Sequence, residues 1–163
     1  VPRIEIQTIV HAPQGVCYQL ALSTDLHTVS TKQTQEKIIA GVRTGILQLG
    51  DTVTFRARHF GFWLTLTSQI TEAEAPDYFC DVMRQGAFKL MRHEHHFASV
   101  GGATVMSDVF TFESPFGWIG KVVDALILRK YLRRFLTQRV SVIKEYAEDG
   151  SWRELLPADA LDI

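Results

Sequence analysis

Along residues 3–10 the apolar Ile4, Ile6 and Val10 share one parity while the polar Glu5 and Gln7 take the other, which is the period of a half-buried strand. Pro13 is suited to a first helical turn. Val16, Leu20 and the neighbouring residues 18–22 fit a short helix ending at Ser23-Thr24-Asp25, and a second short turn or helix is expected over residues 25–29. Residues 37–40 read as a strand, after which Gly41, Gly45 and Gly50 punctuate the chain. Five alternating runs follow, at 51–60, 63–73, 77–85, 89–100 and 103–113. Runs this close together are antiparallel neighbours, because a parallel crossover needs a dozen or more residues.

Ser114-Pro115 ends the last strand, Gly117 and Gly120 mark a turn, and a helical pattern runs from about 118 to 146. At about 1.5 Å per residue this helix is roughly 40 Å long, enough to cross the sheet. Leu128, Leu132, Phe135, Val142 and Tyr146 form one stripe and Lys130, Arg134, Thr137, Ser141 and Lys144 the opposite one, so the helix is expected to lie on the sheet. Residues 1–149 are read as one domain, and 150–163, with Pro157 and the acids Glu154, Asp159 and Asp162, as a loosely attached tail.

In a tight hairpin the turn decides which residues face one another. With Gly101-Gly102 as a two-residue loop, Phe97 opposes Met106, His95 opposes Asp108, His93 opposes Phe110 and Met91 opposes Phe112, all on the less polar, inward face. With Gly61-Phe62 as the earlier loop, the inner pairs are His59 with Leu64, Ala57 with Leu66, Phe55 with Ser68 and Val53 with Ile70. Arg56, Arg58, Thr65 and Thr67 then point out. Between the hairpins Phe79, Asp81, Met83 and Gln85 share a face, and a loop around 86–88 brings Asp81 near His93.

Length and composition change this picture little. At 163 residues, with 46% hydrophobic and 21% charged positions, the chain suits one globular domain that closes a core without disulfides or metals. A net charge of −1 gives no electrostatic case for nucleic acid. There is no basic segment followed by an apolar run at the N-terminus and no stretch of about 18 apolar residues, which sets an expectation of a cytoplasmic protein without stable membrane insertion. Cys17 and Cys80 lack metal or disulfide spacing and read as buried small hydrophobes.

The candidate chemistry lies on the inward faces. These put forward Phe55, His59 and Leu66 from the first hairpin and Phe79, Asp81 and Met83 from the middle strand. The last hairpin adds Met91, His93, His95 and Phe97 with Met106, Asp108 and Phe110, and the long helix Leu128, Leu132, Phe135 and Arg139. A buried carboxylate needs a nearby donor; histidine opposite aspartate supplies one, and Arg139 is placed to reach the same group.

Several readings compete: an internal polar network that sets strand register, a pocket that binds the polar end of a ligand, and acid–base chemistry with His95 as base or acid and Asp108 orienting it. The fourth reading is zinc or iron on the two histidines and two aspartates; it is set aside because a strand-borne HxH lacks a matching third ligand at fixed spacing, so no metal and no cofactor are expected. His96 belongs to the opposite face from His93 and His95. The pairs Arg129-Lys130 and Arg133-Arg134 read as a solvated helix face, with a membrane- or anion-facing patch as the alternative. Phe60, Phe62 and Trp63 at a hairpin tip would cap the core, gate a pocket or meet a partner.

The order of elements resembles the START/polyketide-cyclase-like (SRPBCC) superfamily, and several segments are similar to a bacterial subgroup of it. These are GVRTGILQLGDTVTFRARHFG at 41–61, the FxD of Phe79-Cys80-Asp81, HEHHF at 93–97 and GGATVMSDVFTFESPFGWIG at 101–120. The resemblance spans roughly residues 3–147. It implies an α+β helix-grip fold: a curved antiparallel sheet of about six to seven strands around a long C-terminal helix, with two short helices after the first strand.

The resemblance also implies a cavity between sheet and helix, used across the superfamily for lipids, sterols, polyketides and plant hormones. Some relatives are cyclases or aromatases, and others transporters or sensors. Motif positions Asp81, His93, His95, Phe97, Asp108, Pro115 and Gly117 carry over; no superfamily-wide catalytic residue maps onto this chain. The leading expectation is binding of a small hydrophobic or amphipathic molecule. The alternatives are a cofactor-independent cyclase using a His-Asp pair, and an interaction protein with a vestigial cavity.

Overall fold

A computed structural model describes residues 1–115, 117, 119, 122 and 124–163. Its elements in chain order are β1 (Arg3–Val10), α1 (Gln14–Leu22), α2 (Thr24–Ser30), β2 (Lys37–Gly41), β3 (Thr52–His59), β4 (Phe62–Glu74), β5 (Tyr78–Gln85), β6 (Leu90–Val100), β7 (Ala103–Glu113) and α3 (Arg129–Asp149). The strands form one antiparallel sheet in the order β1-β7-β6-β5-β4-β3-β2. The first two strands therefore occupy opposite edges. The link between them, α1 and α2, crosses the sheet, and both helices pack on α3.

Local chemistry explains the elements. Almost every residue of α1 is buried, the composition of a helix enclosed on all sides. Ser23 ends it and caps α2, its Oγ accepting from the Leu26 amide at 3.2 Å. In the β6–β7 turn Gly101 and Gly102 both have positive φ, 57° and 83°, as a two-residue hairpin loop requires. The expected register follows, from Met91↔Phe112 to Phe97↔Met106.

The β3–β4 hairpin differs from expectation. Its central residues are Phe60 and Gly61, both left-handed at 52° and 82°, so the loop is Phe60-Gly61 rather than Gly61-Phe62. His59 faces Phe62, Ala57 faces Leu64, Phe55 faces Leu66 and Val53 faces Ser68, two residues from the predicted pairing. Parity is unchanged by a shift of two, so the inward face keeps its members.

Helix α3 is approached through a wider, π-helical turn at Asp124–Leu128; the predicted start at Trp118 and the turn residue Gly120 lie outside the described residues. Its buried stripe is Leu132, Leu136, Val140, Ile143 and Ala147. The stripe is thus rotated from the predicted one: Leu128, Phe135, Val142 and Tyr146 are only partly buried at its flank. Arg133 donates to the Glu5 carbonyl at 3.1 Å and Lys144 to that of Ile9 at 2.6 Å. These cations occupy backbone acceptors of edge strand β1, which an open edge would leave free.

The segment after α3 is packed, not loose. Trp152, Leu156 and Ala160 are buried in the same cluster as α1, and Gln19 Nε2 donates to the Ala160 carbonyl at 3.2 Å. A Cβ on Gly15 would stand 2.9 Å from that carbonyl oxygen, so glycine permits the close approach. Three apolar residues spaced four apart carry this docking, a signal outweighed by the acids and Pro157 in the sequence reading.

Candidate functional site

Two apolar clusters fill the space between sheet and helices. One gathers Phe79, Phe97 and Met106 with α1, α2 and the C-terminal segment. The other gathers Met91, Phe110, Phe112, Leu132 and Leu136, flanked by Leu66, Met83, Leu128 and Phe135. Between them runs a narrow polar band. On β5 it is Asp81, between Phe79 and Met83; on β6 His93 and His95, between Met91 and Phe97; on β7 Asp108, between Met106 and Phe110.

Strand register places these four together: His95 opposes Asp108 and His93 opposes Asp81. The imidazoles lie against each other, ring centroids 3.8 Å apart, with an aspartate on either side. Asp108 Oδ1 is 3.1 Å from His93 Nε2 and 2.7 Å from His95 Nδ1. Asp81 Oδ1 is 3.3 Å from His95 Nε2 and 4.0 Å from His93 Nδ1. Phe79 stacks on His95 at 4.2 Å, and Phe110 meets His93 edge-on.

Ser68 Oγ donates to Asp81 Oδ2 at 2.6 Å. The register of β4 shifts between Thr67 and Ser68 and again between Ile70 and Glu72, so bulges flank this hydroxyl, a common device for aiming a side chain.

Burial opposes ionisation of both aspartates, but the imidazoles, together with Ser68 at Asp81, outweigh it and hold both carboxyls well below the usual carboxylate range. Burial and the neighbouring His95 push His93 down to about 4. At His95 burial is overcome by Asp108 and then Asp81, which raise it.

Side-chain exposure separates the four. His93 and His95 are 4% exposed and Asp108 6%, whereas Asp81 is 17% exposed. Of the four, Asp81 alone lines a recess of about 40 Å³. The recess lies under α1, α2 and α3 against β3–β5, with apolar walls that include Leu22, Leu47, Val53, Phe55, Ile70 and Phe79. Its polar side chains include His27, Asp51, Ser68, Asp81 and Arg139. Arg139 does not join the band as anticipated: its Nη2 donates to the Ala21 carbonyl at 3.3 Å, because α3 presents this residue to α1.

His27 was not foreseen. It stacks on Phe55, with centroids 4.3 Å apart, and its Nε2 forms an ion pair with Glu36 Oε1. His27 sits in the short helix α2 and Glu36 just before β2, segments too short for periodicity to single either out. Ser68 was legible as an inward polar position, but its partner was not.

The remaining candidates lie elsewhere. His59 is at the far end, its Nδ1 2.6 Å from the Tyr131 hydroxyl and its ring edge-on to Phe135. Phe60 packs on Tyr131 at 4.4 Å. Phe60, Phe62 and Trp63 are exposed, with Arg56 over the Trp63 ring. His96 faces outward against Tyr78. Cys17 and Cys80 are buried free thiols, each pushed up to about 11, chiefly by burial.

No family model matches the chain and no curated protein matches it in sequence. Solved structures do match in shape. The protein TTHA0849 from Thermus thermophilus superposes with a TM-score of 0.71 at 15% identity, covering 90% of this chain and 97% of that one. A START superfamily protein from Mycobacterium smegmatis gives 0.68 at 10% identity, covering 89% and 96%. The ginseng major latex-like protein 151 from Panax ginseng gives 0.66 at 14%, covering 90% and 97%.

The chain has the START-like helix-grip fold. At these identities the likeness is one of fold alone. Within the helix-grip frame, the recess lies where sheet and long helix face each other, and the His-Asp band forms part of its floor through Asp81. No helix among the described residues is long and apolar enough to cross a membrane.

Proposed function

We propose that this protein is a cytoplasmic binding module for a small amphipathic molecule, such as a lipid or polyketide with a hydroxyl at one end. The observation that carries this reading is the recess itself, where apolar walls converge on Asp81, Ser68 and Arg139. Such pockets use a few polar groups for orientation and apolar surface for affinity. A hydroxyl suits these groups, since it donates to the carboxylate and accepts from the guanidinium.

At about 40 Å³ the recess holds water or one polar end, well short of the roughly 300–1,000 Å³ of a pocket for a drug-sized ligand. The apolar remainder of a larger ligand therefore enters by moving α3 off the sheet. In the acid–base alternative His95 would act on the recess through Asp81, the member of the band that reaches it.

Native mass spectrometry of freshly purified protein, before and after denaturation, tests the reading. A released apolar molecule of defined mass supports it. A clean apo mass that persists after exposure to a lipid extract contradicts it.

A further inference from the structure

The polar band gathers two imidazoles between two carboxylates, and with both imidazoles neutral it has more acceptors than hydrogens. Four imidazole nitrogens face two carboxylates: His93 Nε2 and His95 Nδ1 towards Asp108, His93 Nδ1 and His95 Nε2 towards Asp81. Two neutral imidazoles carry only two N–H groups between them. With both N–H groups directed at Asp108, along the shorter approach for each ring, the two remaining nitrogens present lone pairs to Asp81 Oδ1. Three acceptors then converge on one point, where positive charge is favoured: a second proton on His95 supplies it in one state, and an ion held by all three donors in another.

We propose that Asp81, His93 and His95 bind a divalent first-row transition ion of the zinc or iron(II) class, with Asp108 as the shared acceptor behind both imidazoles. One donor atom from each of the three residues lies within 4.8 Å of the others. Asp81 Oδ1 and His95 Nε2, 3.3 Å apart, already have the spacing of neighbouring ligands on an ion with bonds of about 2.0–2.2 Å. His93 Nδ1, at 4.0 Å from the same oxygen, joins them by a side-chain adjustment of under about 1 Å.

The surroundings fit the same role. Metal-binding histidines commonly donate their second N–H to a carboxylate, which sets tautomer and ring orientation, and Asp108 stands in that position to both rings. Ser68 holds Asp81 Oδ2, leaving Oδ1 to turn to the ion. Two imidazoles with one carboxylate favour a transition ion over magnesium or calcium. Because Asp81 and Ser68 line the recess, the remaining coordination positions open towards it. The third ligand comes from β5, outside the HxH of β6, through the Asp81–His93 pairing that the 86–88 loop suggests in the sequence.

The test is titration of the chelator-treated full chain with Zn2+, followed by elemental analysis and by the imidazole 15N resonances. The expected result is one ion per chain, with His93 and His95 resonances shifting and those of His96 unmoved. Asp81→Asn and His93→Gln should abolish stoichiometric binding, and Asp108→Asn should weaken it roughly 10- to 100-fold. His96→Ala should leave it unchanged.

The wild-type resonances decide the matter even where a buried variant fails to fold. Absence of a bound ion, or shifts confined to His11 and His96, overturns the proposal. Neither outcome depends on whether an organic ligand binds.

Discussion

His95 Nδ1 lies 2.7 Å from Asp108 Oδ1, across two strands whose register a pair of left-handed glycines sets. Both groups are almost wholly buried, so the contact supports the fold as well as the site. Removing one member of a buried charged pair typically costs about 3–5 kcal/mol, because its partner is left uncompensated. Asp108→Asn is expected to lose stability on that scale in urea unfolding, with the slope unchanged. A loss below about 0.5 kcal/mol would show that the band does not depend on this charge.

The phase of α3 is open to a direct comparison. Leu136 is buried and Thr137 is exposed on the same turn. Leu136→Ala should cost about 2–5 kcal/mol, while Thr137→Ala should stay within about 0.5 kcal/mol of wild type. Equal costs in thermal or urea unfolding would contradict the observed stripe.

The C-terminal segment behaves as part of the core. Trp152 is buried in the cluster that also holds α1, and Arg153 covers its ring. Trp152→Ala is expected to lose about 3–5 kcal/mol, and a chain ending at Gly150 at least as much. An unaltered unfolding midpoint in the shortened chain would restore the picture of a loose tail.

Acid lability has a specific contributor in Glu36. Burial opposes its ionisation, but His27, with help from Arg139 and Thr31, holds it below its ordinary value of 4.5. A carboxyl lowered in the folded state contributes stability above its unfolded pKa, and that stability is lost as pH falls through the folded value. Wild type should therefore exceed Glu36→Gln in stability at neutral pH, the gap closing as pH drops below about 4.5. A gap independent of pH between 3 and 7, measured by unfolding at about six pH values, would remove this role.

How far the sequence exposes the site can be read from individual positions. Alternation with Gly101-Gly102 places His93, His95, Phe97, Met106 and Asp108 on one face in the observed register, because period two and a two-residue loop leave no freedom. The β3–β4 pairing slips by two because the loop depends on Phe60 adopting positive φ, uncommon for a bulky residue.

Bulges around Ser68 leave no compositional trace. The walls of the recess from Leu22, His27, Leu47 and Arg139 come from elements that meet only in three dimensions. Strand faces are a local property, whereas a cavity is a relation between distant segments.

The central claim is that the recess beside Asp81 receives the polar end of an amphipathic ligand. Ala21 lines it and is 5% exposed, so Ala21→Leu fills the space at a cost of about 1–3 kcal/mol in stability. Calorimetric titration of both proteins with a long-chain fatty alcohol is the most direct measurement. The account predicts binding by wild type and at least tenfold weaker binding by the folded variant; equal affinity, or no heat from wild type, would contradict it.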